Sequence, residues 1–263
     1  MTTQAWKILI FSQTLLIQVA LATPYYEYKI INSYPHSTEH FTQGLELSEG
    51  VVYESIGHYG KSKLVKYSLD NGSILKEQKL PRRYFAEGLT ILGNKIYQLT
   101  WKSGKLFVYD KENLTPLAKL KIPGQGWGLT NNGRQLIYSD GSNQLHFISP
   151  IDGSHQKTLD ITENDQPVKA LNELEWIDNK IYANVWYSND IVIIDPHSGK
   201  LVARVDLSKL LPKPLRSWNT GVLNGIAYHK QQKHLLVTGK NWPVLYEIRL
   251  KSKPIDHREA HNE

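Results

Sequence analysis

The sequence predicts an all-β fold, a five-bladed β-propeller with four antiparallel strands per blade. Three observations predict it. A four-strand unit recurs five times, at intervals of about 40 to 52 residues, and repetition at this period marks propellers. Its strands alternate apolar and polar residues, as in Lys180-Ile181-Tyr182-Ala183-Asn184-Val185-Trp186, the pattern of half-buried sheet. The composition favours sheet, with 15 Tyr and 7 Trp against one Met.

The first strands of the five units begin Phe41-Thr42-Gln43-Gly44-Leu45, Phe85-Ala86-Glu87-Gly88-Leu89, Gln125-Gly126-Trp127-Gly128-Leu129, Ala170-Leu171-Asn172-Glu173-Leu174 and Val222-Leu223-Asn224-Gly225-Ile226. Second strands are expected at 51–57, 95–101, 135–141, 180–186 and 234–240, and third strands at 64–67, 106–109, 145–148, 191–194 and 245–248. Gly, Asn and Asp clusters such as Asp70-Asn71-Gly72 and Asp152-Gly153 then turn the chain, and fourth strands follow at 74–80, 116–122, 156–161 and 201–207. The fifth unit lacks a fourth strand, whereas Tyr-Glu-Tyr-Lys-Ile-Ile-Asn-Ser at 26–33 has the character of one. An N-terminal strand completing the last blade closes the ring and hides two sheet edges. Two long loops enter blades 4 and 5, at 161–171 and 208–222.

Residues 1–22 read as a secretory signal peptide. Lys7 is their one charged side chain, residues 8–22 are mostly apolar, and Ala20-Leu21-Ala22 offers a small-x-small cleavage site. The apolar run is shorter than the roughly 20 residues a membrane span needs. The expectation is an exported chain, periplasmic or secreted, cut near Ala22, with no membrane span in the mature chain. Residues 23–263 are then one propeller domain with a polar tail from about 252. With no cysteine, disulfides, zinc-thiolate sites and thiol nucleophiles are excluded. The formal charge of +6 falls to +5 without Lys7. The basic residues are scattered, with no basic helix or stacked-aromatic motif, so no nucleic-acid partner is expected. The chain is expected to act as a monomer. Asn71-Gly72-Ser73 and Asn113-Leu114-Thr115 are acceptor sequons on outer turns.

The repeat also locates candidate chemistry. First strands line a propeller's channel, and one column of them reads Gln43, Glu87, Trp127, Asn172, Asn224; the last column of the second strands reads Gly57, Trp101, Gly141, Trp186, Lys240. Structural columns agree from unit to unit, as the Gly-then-Leu/Ile columns do until Glu173 breaks them. The two variable columns instead hold a carboxylate, amides, indoles and an amine, the make-up of a small pocket with apolar walls and a few placed polar groups. Strand alternation turns Glu173 away from Asn172. His36-Ser37-Thr38-Glu39-His40 matches a zinc-protease signature that requires a helix. Pro35 precedes it and a strand follows, so no metal is expected there.

The motifs together resemble a known family. Phe41-Thr42-Gln43-Gly44-Leu45, Phe85-Ala86-Glu87-Gly88-Leu89-Thr90, Gly126-Trp127-Gly128-Leu129, Asn172-Glu173-Leu174-Glu175, Ala183-Asn184-Val185-Trp186 and Val237-Thr238-Gly239-Lys240-Asn241-Trp242-Pro243 are similar, in order and spacing, to the plant- and bacterial-type glutaminyl-peptide cyclotransferases. The chain departs from the family at Ala86, where glycine is usual. The resemblance implies a five-bladed propeller with no cofactor and no catalytic metal. It implies conversion of the N-terminal glutamine of peptide or protein substrates to pyroglutamate, with loss of ammonia. It makes Glu87 the catalytic acid, Asn172 and Lys240 polar groups of the catalytic site, and Phe41, Gln43, Phe85, Trp101, Trp127 and Trp186 the substrate-binding wall; Gln43 and Asn224 are expected to orient substrate. Two other readings stand beside it: a non-catalytic propeller that binds a peptide or sugar, and a metal-dependent propeller hydrolase, lactonase-like, with Glu87, Asn172 and Asn224 as oxygen ligands.

Overall fold

The structure, a computed structural model, describes residues 23–251; the expected leader and polar tail lie outside the described residues. Five four-stranded antiparallel units follow one another along the chain. The first holds Thr42–Ser48, Val51–Ile56, Lys63–Ser68 and Ile74–Lys79, and the second Ala86–Leu92, Lys95–Thr100, Lys105–Asp110 and Pro116–Lys121. The third holds Leu129–Asn131, Leu136–Ser139, Gln144–Ile148 and His155–Asp160, and the fourth Leu171–Ile177, Lys180–Val185, Asp190–Ile194 and Leu201–Asp206. Leu223–His229, His234–Gly239 and Val244–Leu250 make the fifth, and Tyr28–Pro35 adds its outer strand antiparallel to Val244–Leu250. The first strands of the five units contact one another in turn around a ring.

The closing strand lies two residues later than the sequence pattern placed it. Tyr25–Tyr26 instead pairs in parallel with the outer edge of blade 4, Tyr25 opposite Arg204 and Tyr26 opposite Val205. The N-terminal segment therefore ties blade 4 to blade 5 and covers an edge on each. Open outer edges elsewhere are blunted by Pro116 and by lysines such as Lys76, Lys79, Lys119 and Lys121. The blade-4 entry loop carries a small hairpin, Thr162–Glu163 with Gln166–Pro167, and the blade-5 entry loop a 3-10 turn, Lys213–Leu215. Among the described residues no helix is long and apolar enough to cross a membrane.

The core is a set of layers between neighbouring blades rather than one central mass. In the strand Asp190–Ile194, Ile191 and Ile193 pack toward blade 5 while Val192 and Ile194 pack toward blade 3. Residues 191–194 are all apolar because the two-residue period sends alternate side chains into two different layers. Equivalent layers separate blades 1 and 2, 2 and 3, and 5 and 1.

At the axis the inner strands approach to backbone contact. A Cβ added to Gly44, Gly88 or Gly128 would lie 2.5, 2.4 or 1.9 Å from backbone atoms of the next blade, which explains glycine in blades 1 to 3, while Gly225 is held at φ +117°. Glu173 takes that position in blade 4 and does different work. Its carboxylate accepts the Leu45 N–H at 3.3 Å and the Ile226 N–H at 2.9 Å, bridging blades 1 and 5 across the channel. Burial raises its carboxyl well above the usual range, against the pull of those two amides. Gly128→Ala should therefore destabilise the propeller by about 1–3 kcal/mol, the range for overpacking. The midpoint of urea unfolding checks this; an unchanged midpoint would show that the ring is looser than these contacts.

Candidate active site

The variable column of the sequence lies on a run of β-bulges. In blade 2, Ala86 pairs with Thr100 and Leu89 with Gln98, so Glu87 and Gly88 together oppose Leu99. The same slip occurs at Asn172-Glu173 and Asn224-Gly225, and Gln43 is the extra residue in blade 1. A bulge re-aims the side chain it carries. Blade 3 reaches a similar result without regular pairing: its strand begins only at Leu129, and Trp127 N–H bonds the Ser139 carbonyl at 2.8 Å. Neighbouring blades hold this level in place. Ser55 Oγ donates to the Glu87 carbonyl, and Ser139 Oγ donates to the Asn172 carbonyl at 2.7 Å.

The last residues of the second strands leave the ladder and bond back to the segment entering the first strand. Gly57 N–H bonds the Phe41 carbonyl, Trp101 the Phe85 carbonyl, Trp186 the Ala170 carbonyl and Lys240 the Val222 carbonyl, all at 2.9–3.0 Å. Predicted strand ends there run one residue long for this reason. The exchange brings both columns to one mouth. Gly141, at φ +83°, leaves the room that Trp127 fills; a Cβ there would lie 2.6 Å from the indole.

The result is a cavity of about 620 Å³. Phe41, Gln43, Phe85, Glu87, Trp101, Trp127, Asn172, Trp186 and Lys240 all line it, so nine of the ten sequence-nominated residues converge. Trp127 and Trp186 stand edge to face at 5.3 Å, and Phe85 meets Trp101 at 5.7 Å and Phe41 at 6.3 Å. Lys240 Nζ sits 4.8 Å from the centre of the Phe41 ring, a cation–π contact. Three buried polar atoms of the wall have no hydrogen-bond partner among the described residues: Gln43 Oε1, Asn172 Oδ1 and the indole N–H of Trp127. Buried polar groups are normally paired, so one donor and two acceptors stand ready for a ligand.

Glu87 and Lys240 are only 5% and 6% exposed. Burial raises the Glu87 carboxyl well above the usual carboxylate range, and the Lys240 charge pulls it part of the way back. Burial likewise lowers the Lys240 ammonium, to about 8, while Glu87 holds it up. A low-dielectric cavity penalises both charged forms, and the groups are near enough to moderate each other.

The tenth residue, Asn224, is a correction. It does not line the cavity. It is fully buried, and its Nδ2 donates to the Thr42 carbonyl at 2.9 Å, strapping blade 5 to blade 1. Glu173, one bulge position from Asn172, lies outside the lining as well. Conversely, Tyr187, Asn189 and the stretch Thr220-Gly221-Val222 line the cavity and were missed. Val222 stands in the repeat column of Phe41 and Phe85 but was not singled out; the others sit on loops that no repeat column covers, and only the length of the blade-5 entry loop marked it. Its Gly221 N–H bonds the Lys240 carbonyl at 2.8 Å, which brings the loop against the site.

The His36–His40 pattern is not helical; His40 N–H closes a turn on the Ser37 carbonyl at 3.0 Å. Both imidazoles nevertheless converge, on Glu54 rather than Glu39. His36 Nε2 lies 3.2 Å and His40 Nδ1 2.8 Å from its carboxylate.

Known proteins are similar to this chain in sequence and fold. The family described as glutamine cyclotransferase matches residues 5–250. Glutaminyl-peptide cyclotransferase of Arabidopsis thaliana is 39% identical over 235 residues, covering 86% of this chain and 72% of that protein. The crystal structure of Myxococcus xanthus glutaminyl cyclase superposes with a TM-score of 0.81 at 35% identity, covering 89% of this chain and 99% of the other. With a family match over nearly its whole length and a curated relative at this identity, the chain belongs to the glutamine cyclotransferase family.

Proposed function

We propose that this cavity converts the N-terminal glutamine of peptides and proteins to pyroglutamate with release of ammonia. The observation that carries the reading is a single buried carboxyl, Glu87, set with a single buried amine, Lys240, on a cavity otherwise walled by aromatic rings and small polar groups. The names of the Arabidopsis and Myxococcus relatives support it.

The substrate brings its own nucleophile. Its α-amine must reach the γ-carboxamide carbon of the same residue, so the protein mainly folds the side chain back and holds it. The indoles of Trp101, Trp127 and Trp186 clamp the curled glutamine, and their faces suit the incoming ammonium, which gives its first proton to solvent so that the neutral amine attacks. Gln43 Oε1 and Asn172 Oδ1 accept from the substrate's N–H groups, and the Trp127 indole N–H donates to its carbonyl side. Glu87 takes a proton from the attacking amine as the new C–N bond forms. Lys240, with the Asn172 amide, stabilises the tetrahedral oxyanion. Glu87 then returns the proton to the departing nitrogen as the old C–N bond breaks, leaving the five-membered lactam, free ammonia and an unchanged carboxylate. Its raised affinity for protons suits both halves of this shuttle.

The metal-hydrolase reading needs Glu87, Asn172 and Asn224 as converging oxygen ligands. Asn224 lies outside the cavity and Lys240 places a competing cation beside Glu87, so the geometry disfavours it. Export rests on the apolar leader and its Ala20-Leu21-Ala22 site. N-terminal sequencing of the protein recovered outside the cytoplasm should begin at Thr23.

Two variants test the chemistry. Glu87→Gln should keep the fold by circular dichroism and lower ammonia release from a glutamine-initiated dipeptide by about a hundredfold or more; undiminished turnover would remove Glu87 from the mechanism, and no ammonia from the unaltered protein would leave a binding module. Lys240→Met removes the charge that draws the Glu87 pKa down. Glu87 then keeps its proton to higher pH, so the acidic limb of the kcat–pH profile should move toward alkaline pH, with kcat reduced throughout. A limb that stays in place would uncouple the two groups.

A further inference from the structure

His36, His40 and Glu54 take no part in the cavity, yet they sit where the ring closes. We propose that they form a site for one divalent transition-metal ion of the zinc type, with His36 Nε2, His40 Nδ1 and the Glu54 carboxylate as protein ligands.

The donor set suits such an ion, since imidazole and carboxylate are common zinc ligands. Their side chains are 1%, 9% and 0% exposed, and the three ligand atoms lie within 4.8 Å of one another. Zinc bonds of about 2.0–2.1 Å in a tetrahedron place neighbouring ligand atoms roughly 3.3 Å apart. The observed separations of 3.2 and 2.8 Å to Glu54 need little adjustment.

The tautomer of His36 points the same way. Its Nδ1 lies 2.7 Å from the Trp242 carbonyl. A carbonyl only accepts, so Nδ1 carries hydrogen. In the neutral ring Nε2 then presents a lone pair to a carboxylate oxygen, and two acceptors at that distance require a positive charge between them. The ring N–H held by a carbonyl is also the usual outer partner of a metal-bound histidine. A small cavity of about 170 Å³ adjoins the cluster, bounded by both histidines and by Tyr67. The buried Tyr67 hydroxyl feels the Glu54 charge but has no hydrogen bond of ordinary geometry. A metal-bound water in that space would complete four-coordination and give the phenol a partner.

The ion would act as a structural clasp. His36 N–H bonds the Pro243 carbonyl at 3.0 Å, Asn241 N–H the His40 carbonyl at 2.8 Å, and Asn241 Nδ2 the Thr38 carbonyl at 2.7 Å. Thr42 Oγ1 donates to Glu54 at 2.7 Å. The same two segments carry Phe41, Gln43 and Lys240, so the clasp fixes blade 1 against blade 5 beside the active cavity.

Titration of the purified full chain with Zn²⁺, and with Co²⁺ as a coloured substitute, tests this without reference to turnover. One equivalent should bind, Tm should rise by several degrees with zinc well above its Kd, and the cobalt form should show the intense visible bands of four-coordination. His40→Ala should weaken zinc binding by more than the 10- to 100-fold typical of losing an outer partner. Absence of binding, with Tm unchanged, would mean that His36 holds a second proton instead and would overturn the site. Undiminished affinity in His40→Ala would also overturn it, placing the ion elsewhere. Should that variant fail to fold, X-ray absorption of the zinc-loaded unaltered protein decides: two imidazoles in the shell support the site, and an all-oxygen shell refutes it.

Discussion

Everything in this molecule depends on how closely five inner strands can approach one axis. At that level backbone packs on backbone, and glycine is the residue that permits it at positions 44, 88 and 128. The fourth blade meets the same constraint differently. Glu173 reaches across the channel to amides of blades 1 and 5, so the gap is filled by two hydrogen bonds instead of a contact. A buried carboxylate is expensive unless paired, and two backbone donors are what this one receives.

The active cavity is a consequence of that ring. Packing the strands so tightly leaves a cavity at one mouth, and the bulges just before the glycine level in blades 1, 2 and 4 each turn one side chain into it. Because the bulge is a backbone feature of blades 1, 2, 4 and 5, the side chain it presents is free to differ. An acid and two amides occupy it in blades 2, 1 and 4, with an indole at the matching place in blade 3. The apolar walls then do electrostatic work: they push the Glu87 carboxyl up and the Lys240 ammonium down, each moderated by the other's charge.

Ring closure is distributed over several interactions. The N-terminal segment pairs with the outer strands of blades 4 and 5, while the turn at His36–His40 grips the Asn241–Pro243 loop nearer the axis. The second grip matters more for chemistry, because it runs through residues adjoining Phe41 and Lys240. A chain with no cysteine has no disulfide to fasten this junction, and hydrogen bonds from His36, Asn241 and the imidazole pair on Glu54 hold it.

Strand order, blade number and the closing strand were legible from periodicity, because a four-strand unit that cannot bury its own faces must repeat to bury them. The convergence of Glu87, Lys240, Asn172 and the indoles was legible from the same repeat, as columns that vary where structure would make them agree. Other features belong to the tertiary structure alone. Asn224 shares the column of Glu87, yet a bulge and a neighbouring carbonyl draw it into a strap between blades. Tyr187 and Thr220 reach the cavity from loops with no counterpart in other repeats. Glu54, far from the histidine motif in its own strand, proves to be the partner of both imidazoles. Sequence alone determined which residues recur and which depart from the repeat, since that is a property of the chain read along its length. Only the folded ring decided which departures meet, because contact across blades depends on bulges, loop paths and closure that pairwise spacing does not encode.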